Sequence, residues 1–311
     1  MARKVVKKVV RKATKKIATK ASYKKKEISA DFELPTQKKK ASDDFFSYIH
    51  CFYGRAGIGK STLASSFPET LMLSCERVSK GLQCFDFNSE NGGVYDWDVF
   101  RAAVDLLQKS DEFKTVAIDT IEAAYEQCQT WVCAKGGYKH PNEANDYGKT
   151  WKACIEEFHS QMFAIYNSGR GLVLLSHSKE ADITAHSGEK YVRIQPSLGG
   201  KVLEWLKQKT DFMTYCEFVK DIHGDSKRVF ITNGDEIVDA KNPVDLPFYL
   251  PFEKGSKGVE ILLQAFNGED VGLPVSDLRP SKETSKAVTQ MVRKQNVQEI
   301  KKGGSRKRKV K

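Results

Sequence analysis

The sequence predicts an α/β fold in which a mostly parallel central sheet is covered by helices and flanked by basic disordered tails. Three observations support this prediction. A glycine-rich motif, G-x-x-x-x-G-K-[ST], lies at residues 54–61 between a strand-like run and a helix-like run. From that motif to about residue 210, short apolar runs alternate with helical patterns. Lys and Arg are concentrated at the two ends of the 311-residue chain.

The glycine-rich motif predicts a phosphate-binding loop at residues 54–62. Its two fixed glycines let the backbone turn so that consecutive N–H groups point into one concavity, which suits an anion. A lysine places its charge against the β- and γ-phosphates, a serine hydroxyl is the usual ligand of the bridging Mg²⁺, and the following helix adds its dipole. The predicted ligands are ATP and Mg²⁺, and the predicted binding residues are Gly54, Arg55, Ala56, Gly57, Ile58, Gly59, Lys60, Ser61 and Thr62.

Short apolar runs predict the strands of the sheet. The first run leads into the phosphate-binding loop, the second follows Pro68, and the next two end in the polar residues Asp119 and His177. Two later runs rich in β-branched and aromatic residues complete the set. The predicted strands are 47–52, 70–75, 115–119, 171–177, 212–219 and 228–232.

Apolar residues spaced three and four apart predict the helices that connect these strands. The clearest pattern runs from Trp97 to Lys109. Two stretches without such a pattern, 134–149 and 179–200, are polar and contain several glycines, so they are predicted to be loops. The predicted helices are 62–67, 97–109, 122–132, 151–166 and 201–209.

Polar residues at the ends of the predicted strands indicate where catalysis would occur. Ligands of parallel sheets collect beyond the carboxyl ends of the strands. Asp119 closes an apolar strand and fits the carboxylate that orients the waters of Mg²⁺. Ser61 and Asp119 are therefore the predicted metal-associated residues. Asp119 alone also fits an ordinary helix cap for the residues that follow.

ATP hydrolysis needs a further carboxylate to position and polarise the attacking water. The residue after Asp119 is Thr120, so this acid must come from elsewhere in the chain. Glu76 ends the strand that directly follows the phosphate-binding loop and its helix, which makes it the best candidate. Glu122 is the weaker candidate, on the helix after Asp119.

The charge distribution predicts the domain organisation and a class of partner. The net charge of +11 consists of +12 in residues 1–40, −10 in residues 41–280 and +9 in residues 281–311. We therefore predict a basic disordered tail at 1–40, an ATPase domain at 41–280 and a basic C-terminal helix or tail at 281–311. Two cationic tails on an acidic body favour a polyanionic partner such as nucleic acid. The alternative is that the tails only keep the protein soluble.

Other features exclude several classes of protein. No apolar run approaches the roughly 20 residues that span a bilayer, so no membrane contact is expected. The basic N-terminus lacks the apolar core of a signal peptide, and a cytoplasmic location is expected. Seven cysteines without C-x-x-C pairs predict reduced thiols, and exclude both a disulfide framework and a zinc site.

Several segments together resemble phage-encoded RecA-like P-loop ATPases, a group of AAA-domain nucleotide-binding proteins that includes single-strand annealing proteins. The resemblance covers roughly residues 45–250 and leaves out both tails. The host cell's cytoplasm is the expected location if the chain is phage-encoded. The segments that carry the resemblance are Gly54–Thr62, Leu71–Glu76, Lys114–Thr120, Tyr147–Lys149, Leu172–Glu180 and Asp239–Asn242 before Leu246-Pro247.

The resemblance implies a RecA-like core and a role for three strand-end residues. Glu76 matches the catalytic glutamate of these proteins, Asp119 the magnesium-associated aspartate, and His177 the polar sensor at the end of the third core strand. The chain departs from the pattern at 74–77, where Ser-Cys-Glu-Arg replaces the usual Asp-Thr-Glu-Gly.

The resemblance also implies partners. RecA-type proteins bind DNA through loops after the second and third core strands, and the matching stretches here interleave basic and aromatic residues, which suits a phosphate track with base stacking. Plain solvated loops are the alternative. These ATPases complete their sites across a subunit interface, so a homo-oligomeric ring or filament is expected, with Lys241 reaching a neighbour's γ-phosphate. The predicted single-stranded DNA contacts are Lys139, His140, Lys190, Tyr191 and Arg193.

Together these features predict a DNA-stimulated ATPase that acts on single-stranded DNA in phage recombination or replication, with a single-strand DNA-binding protein as a candidate partner. One alternative is a small-molecule or nucleoside kinase, which is disfavoured because residues 179–200 hold one Arg and no Arg-rich lid. The other is a nucleic-acid-binding protein in which the nucleotide is structural and turnover is negligible. DNA-stimulated phosphate release separates the three.

Overall fold

The computed structural model describes residues 36–77, 81–87, 93–185, 188, 190–274 and 278–279. The predicted tails, 1–40 and 281–311, lie outside these residues except for 36–40, which are exposed and form no helix or strand. Across the described ranges, no helix is both long and apolar enough to cross a membrane. All seven cysteines carry free thiols, and every one but Cys84 is buried.

Strands and helices alternate through most of the described chain. The strands are β1 (Ile49–Gly54), β2 (Thr70–Ser74), β3 (Phe85–Asp86), β4 (Thr115–Asp119), β5 (Gly171–Ser176), β6 (Ser178–Thr184), β7 (Lys190–Pro196), β8 (Phe212–Asp221), β9 (Ser226–Ile231), β10 (Tyr249–Pro251) and β11 (Leu278–Arg279). The helices are α1 (Lys60–Ala64), α2 (Trp97–Leu107), α3 (Ile121–Lys135), α4 (Lys149–Asn167), α5 (Gly200–Lys209) and α6 (Ser256–Phe266).

A nine-stranded sheet forms the centre of the fold, with the order β10-β9-β8-β1-β5-β4-β2-β3 and β11 added to β8. Every pairing from β8 across to β3 is parallel, whereas β9, β10 and β11 pair antiparallel. The prediction of an α/β fold with a mostly parallel sheet is therefore confirmed. Because six strands point the same way, their carboxyl ends form one edge of the sheet, which we call the carboxyl edge.

Both faces of the sheet are covered because side chains alternate along each buried strand. On β1, Cys51 and Tyr53 pack into the apolar layer that also contains Trp97 and Phe158 from α2 and α4. Phe52, between them, packs into the opposite layer with residues of α1 and α6. Strands buried on both faces read as continuous apolar runs, which is why the sequence predicted them so well.

The stretch 179–200 differs from its prediction as a loop. It contains β6 and β7, which pair as an antiparallel hairpin from Ser178↔Pro196 to Thr184↔Lys190. Both strands of this hairpin are largely half-exposed, so charged residues occupy many positions and hide the alternation. The β-branched Val192 and Ile194 were the signal that could have identified β7.

A buried histidine on β1 gives the fold a specific response to acid. His50 is 1% exposed and stacks on Phe212 at 5.0 Å between ring centroids, while its Nε2–H donates to the carbonyl oxygen of Phe45 at 2.9 Å. Burial lowers the pKa of this imidazole from 6.5 to about 4. Its neutral form is therefore favoured in the folded state.

We expect acidification to destabilise the fold through His50. The pKa of His50 is lower in the folded state than in the unfolded state, so its contribution to the free energy of unfolding is intact above pH 6.5. As the pH falls towards 4, this free energy decreases by about 3 kcal/mol. Denaturant unfolding of the wild type and His50→Phe across this range measures the difference. The wild-type stability should fall more steeply with decreasing pH, and parallel curves would contradict the assignment.

Candidate active site

The phosphate-binding loop connects β1 to α1 at the carboxyl edge, as the sequence predicted for a strand, loop and helix in that order. A Cβ at Gly54 would lie 2.3 Å from the carbonyl oxygen of Cys216 on β8, so no larger residue fits there. Gly59 precedes α1 with a φ of +117°, a left-handed conformation that favours glycine. The two glycines thus permit the close approach and the turn that the loop requires.

Lys60 lies across this loop and is 6% exposed. Its ammonium donates to the carbonyl oxygens of Gly54 at 2.8 Å and Arg55 at 3.2 Å. Burial lowers the pKa of Lys60, and the nearby Asp119 carboxylate opposes that shift. The loop therefore holds a largely buried cation at the start of a helix, where backbone N–H groups also attract anions.

Ser61 and Asp119 form a direct pair beside Lys60. The Ser61 hydroxyl donates to Asp119 Oδ2 at 2.5 Å, and Asp119 is buried at the end of β4. Burial raises the pKa of this carboxyl, whereas the Ser61 hydroxyl and the Lys60 charge oppose the shift. A hydroxyl and a carboxylate are the hard oxygen ligands that Mg²⁺ prefers, so this pair fits the predicted metal.

Protein side chains alone would not enclose such an ion. The described part of the chain contains no group of three or more His, Cys, Asp or Glu side chains that could hold a metal. Mg²⁺ in nucleotide sites is commonly held by one or two protein oxygens together with phosphates and water, which agrees with the Ser61–Asp119 pair.

Glu76 lies next to this pair, just beyond the end of β2. Its backbone N–H and that of Cys75 donate to the carbonyl oxygen of Asp119, at 3.1 Å and 2.7 Å. Its carboxylate accepts a hydrogen bond from the Thr120 hydroxyl at 2.7 Å, and His177 Nε2 lies 3.4 Å from its other oxygen. The strand-end residues Glu76, Asp119 and His177, which are far apart in sequence, therefore meet in one place.

Glu122, the weaker sequence candidate for the catalytic acid, has a different position. Its Oε1 accepts a hydrogen bond from the backbone N–H of His177 at 2.6 Å, and burial raises its pKa. This contact joins the start of α3 to the end of β5. Glu122 thus positions His177, a role that requires the tertiary structure and had no signal in the sequence.

One cavity of about 420 Å³ contains nearly all of these groups, and we call it the cleft. Its volume lies within the range of small-molecule sites. Arg77 and Thr120 also line it, although the sequence gave neither of them a catalytic or binding role. The cleft is lined by Ala56, Gly57, Gly59, Lys60, Ser61, Thr62, Glu76, Arg77, Gly81, Leu82, Asp119, Thr120 and His177.

Arg228 is a further residue at the loop that the sequence did not reveal. It lies on β9, and its Nη1 donates to the carbonyl oxygen of Ile58 at 3.3 Å. Its guanidinium also lies over the ring of Phe252, 5.9 Å from the centroid. Arg228 and Ile58 are 170 positions apart, so no local sequence pattern could have predicted their contact. Arg228 supports the phosphate-binding loop from the side away from Glu76 and does not line the cleft.

Lys241 does not lie in the cleft of its own chain. The backbone of Lys241 pairs with that of Met213 on β8, and Met213 in turn is paired with Cys51 on β1. Cys51 precedes Gly54 by three residues, so Lys241 lies roughly 10 Å before the phosphate-binding loop along the strand direction. Its ammonium donates to the carbonyl oxygen of Lys207 at 2.5 Å, and burial lowers its pKa. Its predicted reach to a neighbouring subunit stays a prediction.

The first predicted DNA segment lies between α3 and α4. Helix α3 begins at the carboxyl edge, and α4 packs against it and ends beside the start of β5, at the opposite edge of the sheet. The connection from α3 to α4 therefore lies on the carboxyl-edge side. Lys139 is exposed there. His140 Nδ1 accepts the N–H of Asn142 at 3.2 Å and so begins a short 3₁₀ helix at Pro141–Ala144.

The second predicted DNA segment is strand β7. Lys190 is exposed beside the turn of the hairpin, whereas Arg193 is half-buried and contacts other protein side chains. The Arg193 guanidinium donates to the Tyr191 hydroxyl at 3.0 Å and lies 3.7 Å from Asp239 Oδ1. The structure therefore leaves Lys190 accessible and gives Tyr191 and Arg193 structural contacts. None of the predicted DNA residues lines the cleft.

Comparison with known families supports the identity of the fold around the cleft. The model of the family described as "AAA domain" matches residues 48–244, more than half of the chain. That range contains every residue that lines the cleft. No curated protein matches the chain significantly.

Proposed function

Because the chain belongs to the AAA domain family, we propose that it hydrolyses ATP and acts on single-stranded DNA. One observation carries the ATPase proposal. A buried lysine, a hydroxyl–carboxylate pair and a second carboxylate come from three separate chain segments and line one cleft at the carboxyl edge. These are the groups that bind a triphosphate and position a water molecule for attack on it.

Substrate binding is assigned to the phosphate-binding loop. Its N–H groups and the Lys60 ammonium bind the β- and γ-phosphates of ATP. Ser61 and Asp119 would hold Mg²⁺, which supplies positive charge against the phosphate oxygens when bound. The buried position of Lys60 strengthens its attraction for the phosphates, because the local dielectric is lower than that of water.

Hydrolysis is assigned to Glu76. Its carboxylate accepts a proton from water while the water oxygen forms a bond to the γ-phosphorus. The bond between that phosphorus and the β,γ-bridging oxygen breaks, so ADP leaves with the bond electrons and inorganic phosphate forms. The proton then passes from Glu76 to solvent. Thr120 and His177 hold the Glu76 carboxylate by contacts of 2.7 Å and 3.4 Å.

The action on single-stranded DNA rests on charge and placement. Residues 1–40 carry a net charge of +12 and residues 281–311 one of +9. Lys139, between α3 and α4, and Lys190, on β7, are both exposed. The resemblance to phage RecA-like proteins extends this proposal to a ring or filament that works in recombination or replication. In such an assembly Lys241 would contact the nucleotide of the next subunit.

Phosphate release by the full chain, measured with and without single-stranded DNA over a salt series, tests this function. We expect DNA to stimulate hydrolysis and added salt to weaken the effect, because phosphate contacts release counterions. The double variant Lys139→Ala, Lys190→Ala should require more DNA for half-maximal stimulation, whereas Lys109→Ala, just after the end of α2, should not.

Each other outcome has a defined meaning. An ATP hydrolysis rate that does not change when DNA is added would overturn the proposed action on DNA, but not the proposed ATPase activity. Transfer of phosphate to a nucleoside or another small acceptor would instead identify a kinase. Nucleotide binding without any turnover would indicate a structural nucleotide.

A further inference from the structure

Arg77 is a cation in the cleft that the mechanism above does not use. It directly follows Glu76, its side chain is exposed, and it lines the cleft together with Lys60 and Asp119. No hydrogen bond or ion pair engages its guanidinium among the residues that the structure describes. A planar group with five N–H donors therefore stands beside the carboxylate assigned to the attacking water.

The other cations near the loop already have an assigned role or a contact outside the cleft. Lys60 donates to two loop carbonyls, Arg228 donates to Ile58 from outside the cleft, and the Arg55 guanidinium lies 5.3 Å from the centroid of the Phe218 ring. Among the arginines of the described ranges, Arg77 is the one that lines the cleft. It shares the cleft with Glu76, the residue assigned to the attacking water.

The charge balance of the cleft calls for such a group. Asp119 and Glu76 add negative charge to that of a bound triphosphate. In phosphoryl transfer, charge is spread over the three oxygens of the γ-phosphoryl group in the transition state, and a guanidinium that contacts them accelerates the reaction. We propose that Arg77 is this catalytic residue and that it acts on the nucleotide of its own subunit. This inference rests on the proposed ATPase function.

Action within one subunit has a specific consequence. Each chain would contain the phosphate-binding loop, the water-positioning Glu76 and the stabilising arginine within one stretch of residues 54–77. Assembly into a ring or filament would then modulate hydrolysis without supplying the arginine. The role is distinct from that proposed for Lys241, which lies outside the cleft of its own chain.

Steady-state hydrolysis and nucleotide affinity of Arg77→Ala and Arg77→Lys test the role. We expect kcat to fall about 1,000-fold in Arg77→Ala, with the affinity for a non-hydrolysable ATP analogue changed by less than about fivefold. Arg77→Lys should remain closer to Arg77→Ala than to the wild type, because an ammonium lacks the planar fork. Lys109→Ala serves as the control for loss of an exposed cation.

Retention of ADP with Mg²⁺ and aluminium fluoride, a mimic of the transition state, separates catalysis from a structural effect. The wild type should retain this complex and Arg77→Ala should not, although both bind ADP. Equal retention and equal kcat in the two proteins would overturn the inference. A parallel loss of ATP-analogue affinity would also overturn it, because Arg77 would then serve ground-state binding.

Mixing two inactive proteins tests whether Arg77 acts in its own subunit. Lys60→Ala has Arg77 but lacks the phosphate lysine, whereas Arg77→Ala binds ATP but lacks the arginine. We expect the mixture to hydrolyse ATP no faster than Arg77→Ala alone, and recovered activity would show that the arginine acts between subunits and refute the proposal. Absence of hydrolysis in the wild type would overturn the proposed function itself.

Discussion

Replacement of Lys60 by Ala is expected to weaken ATP binding by at least about 100-fold. Lys60 is the largely buried cation of the phosphate-binding loop, and its ammonium lies within hydrogen-bond distance of two loop carbonyls. In the proposed complex this ammonium donates to the β- and γ-phosphates. Hydrogen bonds to charged groups contribute about 1.5–3 kcal/mol each, so the loss of these two bonds gives this factor. Calorimetric titration with a non-hydrolysable ATP analogue measures it.

Two further variants make the Lys60 result specific. Lys60→Met keeps most of the side-chain length and removes the charge, so it should show the same loss as Lys60→Ala. Lys114→Ala removes an exposed lysine that pairs with Glu69 at 2.7 Å, before β4, and should leave affinity unchanged. Near-wild-type affinity in Lys60→Met would contradict the assignment of the loop as the phosphate site.

The sequence predicted best those elements whose burial is uniform. Strand β4 spans Thr115–Asp119, as predicted, because an apolar run buried on both faces ends at a polar residue on the carboxyl edge. The phosphate-binding loop was equally clear, since its residue types are fixed by the turn and by the ligand. Both signals are local, so a single sequence carries them.

Elements that depend on distant contacts were harder to predict. Helix α6, at Ser256–Phe266, packs against α1 and covers one face of the sheet; it was not predicted, although the helical spacing of Val259, Leu262 and Phe266 is a local signal for it. Strand β7 is half-exposed and keeps its place partly through Ile194, whose backbone pairs with Ile237 and Asp239. Such pairings join residues that share no sequence pattern.

The candidate site shows the same division. The sequence identified Glu76, Asp119 and His177 from their places at strand ends, and the structure brings all three together at the cleft. It ranked Glu76 above Glu122 from their places along the chain alone and gave Arg77 no role, because which side chains face the cleft depends on the tertiary structure. Glu76 lines the cleft, whereas Glu122 is turned towards the backbone of His177.

This geometry gives a sharp expectation for the two acids. Glu76→Gln should bind ATP with near-wild-type affinity but hydrolyse it at least about 100-fold more slowly, because an amide cannot accept the proton of the attacking water. Glu122→Gln keeps an oxygen that can accept the His177 N–H, so its rate should fall by less than about tenfold.

Single-turnover hydrolysis with each protein in excess over ATP isolates the chemical step in these variants from product release. A slow step in Glu76→Gln together with a nearly normal one in Glu122→Gln would assign the base to the acid in the cleft. The reverse order would show that Glu122 activates the water. Glu122 would then act through Oε2, since the contact with the His177 N–H engages only Oε1, at 2.6 Å.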